Sequence, residues 1–167
     1  MAKRASEIKL EALKKIDSPV ALNVQVNSAN HGYNFYTKHS KCDYLSVDER
    51  ELRLAQQNRQ GSVLDLARKI IQEGVSERLS VTLGKEGSIY LYSDQNGSEI
   101  VCPAFFSDVV DTTGAGDAYF LITALLSQTD ADPRIIPFVG NCMAGLHSRV
   151  IGNKSAVNRV CLLRALE

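Results

Sequence analysis

The sequence predicts an α/β protein with a mostly parallel sheet covered by helices on both faces. Three observations predict it. Short apolar runs near 20–26, 42–47 and 79–83 alternate with stretches whose apolar residues recur at helical spacing. Polar clusters at 23–34, 48–51, 84–87 and 111–117 fall where such strands end, the edge at which α/β sheets bind ligands. Finally, the run Val109 to Phe120 leads from apolar residues through a glycine turn and an acid into an apolar helix.

Taken in order, residues 5–16 place Ile8, Ala12 and Ile16 on one side of a helix, with Lys and Glu on the other. Pro19 opens a strand over Val20 to Val26, followed by an Asn- and Ser-rich loop. A weak helical stretch over 34–40 precedes a second strand, Cys42 to Val47. Asp48-Glu49-Arg50-Glu51 then starts a helix with acids in its first turn. Ser62 caps a helix carrying Val63, Leu64, Ala67, Ile70 and Ile71, and Gly74 stops it. Leu79 to Leu83 is a strand closed by Gly84-Lys85-Glu86-Gly87. Ile89 to Tyr92 and Glu99 to Phe105 flank a turn and add a short antiparallel element. The last third reads as helices over about 115–127, 134–149 and 155–166.

Composition excludes several classes. Nineteen basic residues balance 19 acidic ones without a basic cluster, which argues against a nucleic-acid or anionic-membrane partner. A length of 167 residues suits one domain or half of a larger one. Cys42, Cys102, Cys142 and Cys161 are widely spaced, form no C-x-x-C pair and read as buried free thiols rather than a zinc site. The start lacks the apolar core of a signal peptide, and no apolar run approaches the ~18 residues of a membrane span. A cytoplasmic location is therefore expected.

Gly114 and Gly116 let backbone N–H groups turn inward at a helix start, where unpaired amides and the helix dipole favour an anion. Asp117 follows in the first turn. A carboxylate repels phosphate, so its useful role there is to take a proton from an attacking hydroxyl. Two other nucleotide motifs fail. Gly152-Asn153-Lys154-Ser155 lacks the glycine pattern of a phosphate loop, and the dinucleotide fingerprint would need glycine where Tyr119 stands.

The complete run Asp111-Thr112-Thr113-Gly114-Ala115-Gly116-Asp117, read with a strand before it and Ala118, Phe120, Ala124 and Leu125 continuing as a buried helix, resembles the C-terminal signature of the ribokinase-like (PfkB) carbohydrate kinases. Further segments are similar in the right order. Asn23 ends a strand, Asp48 to Glu51 stands where the family has N-x-x-E, and Thr82 to Gly87 stands where it has T-x-G-x-x-G. Asn141 to Leu146 resembles the stretch that walls the adenine pocket, and the likeness spans about 19–157.

The resemblance implies that residues 1–167 form the C-terminal nucleotide-binding portion of a ribokinase-like domain, without its N-terminal sugar-binding half and lid. It implies phosphoryl transfer from Mg-ATP to a hydroxyl of a sugar or sugar phosphate. Asp117 would be the base, and the amides of Gly114, Ala115 and Gly116 the anion hole. Asp48 and Glu51 would hold Mg2+ through water, with aspartate replacing the family's asparagine at 48. Asn23 would donate to nucleotide phosphates, with Gln25, Asn27, Ser28, Asn30 and Asn34 along the same edge. Thr82, Gly84 and Gly87 would approach the nucleotide, and Asn141 and Gly145 would wall the adenine. Asp111, the Thr113 carbonyl and Ser155 would bind a monovalent cation such as K+, although Ser155 equally suits a helix cap. His147 reads as a packed or half-exposed histidine rather than a catalytic one, and Tyr119 as a side chain packed on the sheet. The partners implied are ATP, the sugar substrate, and a missing N-terminal half or a second copy in a homodimer. Two alternatives stay open, a non-catalytic nucleotide-binding fragment and a structural remnant of such a kinase.

Overall fold

The computed structural model describes residues 17–24, 35–39, 41–94, 98–151 and 157–166. Five strands form one sheet in the order β1-β2-β3-β4-β5: β1 Ala21–Asn23, β2 Cys42–Asp48, β3 Ser76–Thr82, β4 Ser88–Tyr92 and β5 Glu99–Cys102. β1, β2 and β3 pair in parallel, whereas β4 runs antiparallel to both β3 and β5. Four of the five strands therefore point the same way, as the apolar runs and connecting helices predicted.

The helices are α1 Glu49–Ala55, α2 Val63–Gln72, α3 Ala115–Leu126, α4 Ile135–Ser148 and α5 Arg159–Leu166. Alternation along the strands divides them between two layers. Leu45, Val47, Leu79, Val81, Ile89 and Leu91 face one side and form a core with Leu52 of α1 and Leu66, Ala67 and Ile70 of α2. Tyr44 and Tyr90 face the other side and pack with Phe120 and Ala124 of α3 and Ile136 of α4. Because both faces are covered, residues 44–47 of β2 and 79–81 of β3 are buried throughout, Ser46 and Ser80 included. Truncating Ile70, fully buried in the first core, would cost about 2–5 kcal/mol.

The second layer carries a buried hydroxyl network that joins the sheet to α3. Tyr44 Oη lies 2.8 Å from Ser80 Oγ and 2.7 Å from Thr123 Oγ1. Tyr119 Oη lies 3.2 Å from Ser80 Oγ and 3.1 Å from Ser88 Oγ. Each hydroxyl is fully or almost fully buried, so each needs these partners to offset its lost hydration. Tyr119 thus packs against the sheet as expected. Gly140 allows the close approach of α4, since a Cβ there would meet Tyr119 and Thr123 at 2.6 Å.

Several expectations are corrected. Val109 and Val110 form no strand. With no neighbouring strand to pair with, Val110 N and Asp111 N both donate to the Ser148 carbonyl, at 2.9 Å each. α3 is not buried all round: Tyr119 and Thr123 face the sheet, while Leu121 is 63% and Leu125 70% exposed. Cys42, Cys102 and Cys142 are buried, but Cys161 on α5 is exposed. Within the helical stretch expected over 34–40, the described residues 35–39 form only a 3-10 turn at Tyr36–Lys38. The expected helix over 5–16, the polar residues Gln25, Asn27, Ser28, Asn30 and Asn34, and Ser155 lie outside the described residues.

Candidate active site

The site forms where the parallel strands end. Asn23, Asp48 and Thr82 close β1, β2 and β3, and Asp48 stands opposite Thr82 in register. Asp48 also caps α1. Its Oδ1 accepts from Glu51 N at 2.6 Å, and Glu51 Oε2 accepts from Asp48 N at 3.0 Å. This reciprocal box satisfies two helix-start donors and draws the two carboxylates together. No group of three or more His, Cys, Asp or Glu that could hold a metal converges among the described residues. Two carboxylates suffice for Mg2+, which takes one or two from protein and the rest from phosphate and water, so Asp48 and Glu51 fit that ion.

After β3 the chain turns through Gly84 at φ +59° and Gly87 at φ +100°, both left-handed conformations that favour glycine. A Cβ on Gly87 would collide with the Cys102 carbonyl and the 103–104 backbone, so the adjoining β5 exit by itself requires glycine there. Gly84 differs, for a Cβ there would meet nothing within 4 Å.

Across the cleft, Gly114 at φ +81° begins α3, and no side chain caps this helix start. The Ala115 amide donates to the Thr112 carbonyl at 3.1 Å, so one of the three amides expected to form an anion hole already has a backbone partner. Gly116 lies beside open space: a Cβ there would meet nothing within 4 Å. Asp117 is exposed in the first turn, with Asn23 Nδ2 at 3.4 Å from its Oδ1. That distance is long for a hydrogen bond, but it sets the β1 end beside this carboxylate.

α4 supplies the remaining wall. Asn141 Nδ2 donates to the Cys102 and Pro103 carbonyls at 2.9 Å each, fixing the chain that leaves β5. Gly145 makes room for Phe106, whose ring a Cβ would strike, and the Arg149 guanidinium stands 5.5 Å from the centre of that ring. The Thr113 carbonyl lies 3.1 Å from His147 Nε2, while Asp111 Oδ1 accepts from Thr113 N at 2.9 Å. Both expected cation ligands described here are therefore engaged within the protein.

These elements enclose a cleft of about 1300 Å³. Asp48, Thr82, Gly84 and Gly87 line it from the sheet edge, Ala115 and Gly116 from α3, and Asn141 and Gly145 from α4. Asn23, Glu51, Asp111, Thr113, Gly114 and Asp117 do not line it. Sequence reasoning missed Arg50, Arg59, Lys85, Phe105 and Phe106, which do. For Arg50 and Lys85 the signal was their place inside the recognised motifs. Arg59, Phe105 and Phe106 carried none, because folding alone brings them to the cleft.

The fold is a mostly parallel α/β sheet with a cleft over its strand ends and an uncapped helix start beside it. Residues 9–133 match the model of the pfkB family carbohydrate kinases, and the chain belongs to that family. It is 30% identical over 137 residues to a deoxyribokinase of Salmonella typhi, a match covering 65% of this chain and 42% of that protein. The crystal structure of a Thermotoga maritima ribokinase shares the fold with a TM-score of 0.75 at 23% identity, covering 96% of this chain and 52% of that one. An Arabidopsis thaliana ribokinase complexed with ribose and ATP gives a TM-score of 0.71 at 23% identity, covering 95% and 50%. The chain thus spans about half the length of the relatives it matches. Among the described residues no helix is long and apolar enough to cross a membrane.

Proposed function

We propose that this chain supplies the ATP site, anion hole and catalytic base of a carbohydrate kinase that transfers phosphate from Mg-ATP to a hydroxyl of a sugar or sugar derivative. One observation carries the reading: open space over Gly116, at a helix start that no side chain caps, beside a cleft at the strand ends. An anionic oxygen in that space would meet the Gly116 amide and the positive end of α3. Asp117, one residue on, takes the proton of the acceptor hydroxyl, and Asn23 orients its carboxylate from β1. Asp48 and Glu51 would hold Mg2+, which when bound screens the charge of the phosphates. The Phe106 wall, held by Asn141 and Gly145, gives the base an apolar surface. The second reading, a nucleotide-binding fragment without turnover, is favoured by one fact: the chain spans about half of its relatives.

Thermal unfolding with and without Mg-ATP tests the proposal. At 100-fold excess over the dissociation constant, binding adds about 2.7 kcal/mol. Asp117→Asn should keep this stabilisation and Gly116→Val should lose it. Where the sugar-binding half is present, Asp117→Asn should also slow transfer by roughly 10²- to 10⁴-fold. Stabilisation without transfer in that longer polypeptide would select the fragment reading, and no stabilisation of the unsubstituted chain would reject the nucleotide site.

A further inference from the structure

The charged lining of the cleft consists of Asp48, Glu49, Arg50, Arg53, Arg59 and Lys85. Two of these neutralise each other, for Arg53 Nε lies 2.8 Å from Glu49 Oε1. The same guanidinium donates to the Arg59 carbonyl at 3.2 Å and the Gly61 carbonyl at 2.7 Å, which fixes the loop carrying Arg59. One carboxylate, Asp48, is then left against three cations. Arg50, Arg59 and Lys85 are exposed and form no ion pair among the described residues. Among the described residues the cleft lining therefore carries a positive surplus.

Position 48 sharpens the point. Its side chain is a carboxylate that already accepts the Glu51 amide, and a carboxylate cannot donate to a phosphate oxygen as an asparagine would. Where no Mg2+ is bound to it, that carboxylate repels a phosphate unless nearby cations outweigh it. We propose that the cleft binds the polyphosphate tail of its nucleotide through Arg50, Arg59 and Lys85, three side-chain cations that share its lining with Asp48. This rests on the nucleotide reading of the cleft. The arginines can fork onto phosphate oxygens, and the lysine adds a mobile point charge. Such recognition is charge-driven and weakens as salt screens it.

The test is calorimetric titration with inorganic tripolyphosphate, ATP and adenosine at low and high salt. Three proteins are compared: the unsubstituted chain, the cleft variant Arg50→Ala/Arg59→Ala/Lys85→Ala, and the control Lys38→Ala/Lys41→Ala/Arg164→Ala, which removes equal charge outside the cleft. The three cleft side chains have no ion-pair partner to lose, so circular dichroism and the melting temperature should hold in both variants. The cleft variant should bind tripolyphosphate and ATP at least about tenfold more weakly than the control, with little salt dependence left and adenosine unaffected. An unchanged cleft variant, an equal loss in the control, or an equal loss for adenosine would overturn the cation site. If the unsubstituted chain binds tripolyphosphate but not ATP, the cation site stands and the nucleotide reading fails. If it binds ATP and the cleft variant binds it equally well, the reverse holds, and binding of neither probe rejects both.

Discussion

Two glycines of the cleft are required for opposite reasons, and a methyl group tells them apart. Gly145 gives its space to the Phe106 ring, so Gly145→Ala must displace a side chain already packed and should cost about 1–3 kcal/mol. Gly116 faces open space, so Gly116→Ala should leave the melting temperature of the free protein nearly unchanged while weakening ATP. Thermal denaturation beside an ATP titration checks both, and equal destabilisation of the two variants would refute the distinction. Sequence pattern marked both residues as site glycines, and it could not separate them, because the neighbour of Gly145 lies 39 positions away in the chain. The cations Arg50, Arg59 and Lys85 escaped notice for a related reason: an unpaired charge is defined by what folding fails to bring near it.

At the level of elements, period and punctuation decided what was legible. α2 was readable to its ends, because Ser62 accepts from Asp65 N at its start and Gly74, at φ +64°, follows its last turn. Val109 and Val110 look like a strand to any propensity argument, yet a strand needs a partner, and the Val110 and Asp111 amides go instead to the Ser148 carbonyl that ends α4. The attachment of α3 was invisible too, since its hydroxyls look like ordinary strand serines and tyrosines until Tyr119, Tyr44 and Thr123 meet. That network has a pH signature. Burial pushes the Tyr44 phenol up from 10.0 to about 12, against the lowering effect of its bonds to Ser80 and Thr123. The folded state holds this proton longer than the unfolded chain, so its contribution is complete below pH 10 and is lost as pH rises from 10 towards 12. Burial also pushes Tyr90 and Tyr119 upward. Melting temperatures measured across this range should fall less steeply in Tyr44→Phe than in the unsubstituted protein, and parallel curves would show that the phenol is not the source.

Among the described residues, the helix that carries Asp117 presents an apolar stripe to solvent. Leu121 and Leu125 stand one helical turn apart, largely exposed, and β1 pairs only with β2 among the described residues. A strand edge without a partner among the described residues and an exposed apolar helix stripe each promote association. Sedimentation should show concentration-dependent assembly that Leu121→Glu/Leu125→Glu reduces, and an unchanged profile would exclude this face. The class of fold was legible because alternating strand and helix periods extend along the chain; the exposed stripe was not, because buried and exposed leucines share one composition. The cleft draws on both layers, taking Arg50 from the helix pair that covers one core and Asn141 and Gly145 from the pair that covers the other. A nucleotide lodged there would tie two separately packed cores into one cooperative unit. Opening of α1 and opening of α4, which both line that cleft, would then each require release of the ligand.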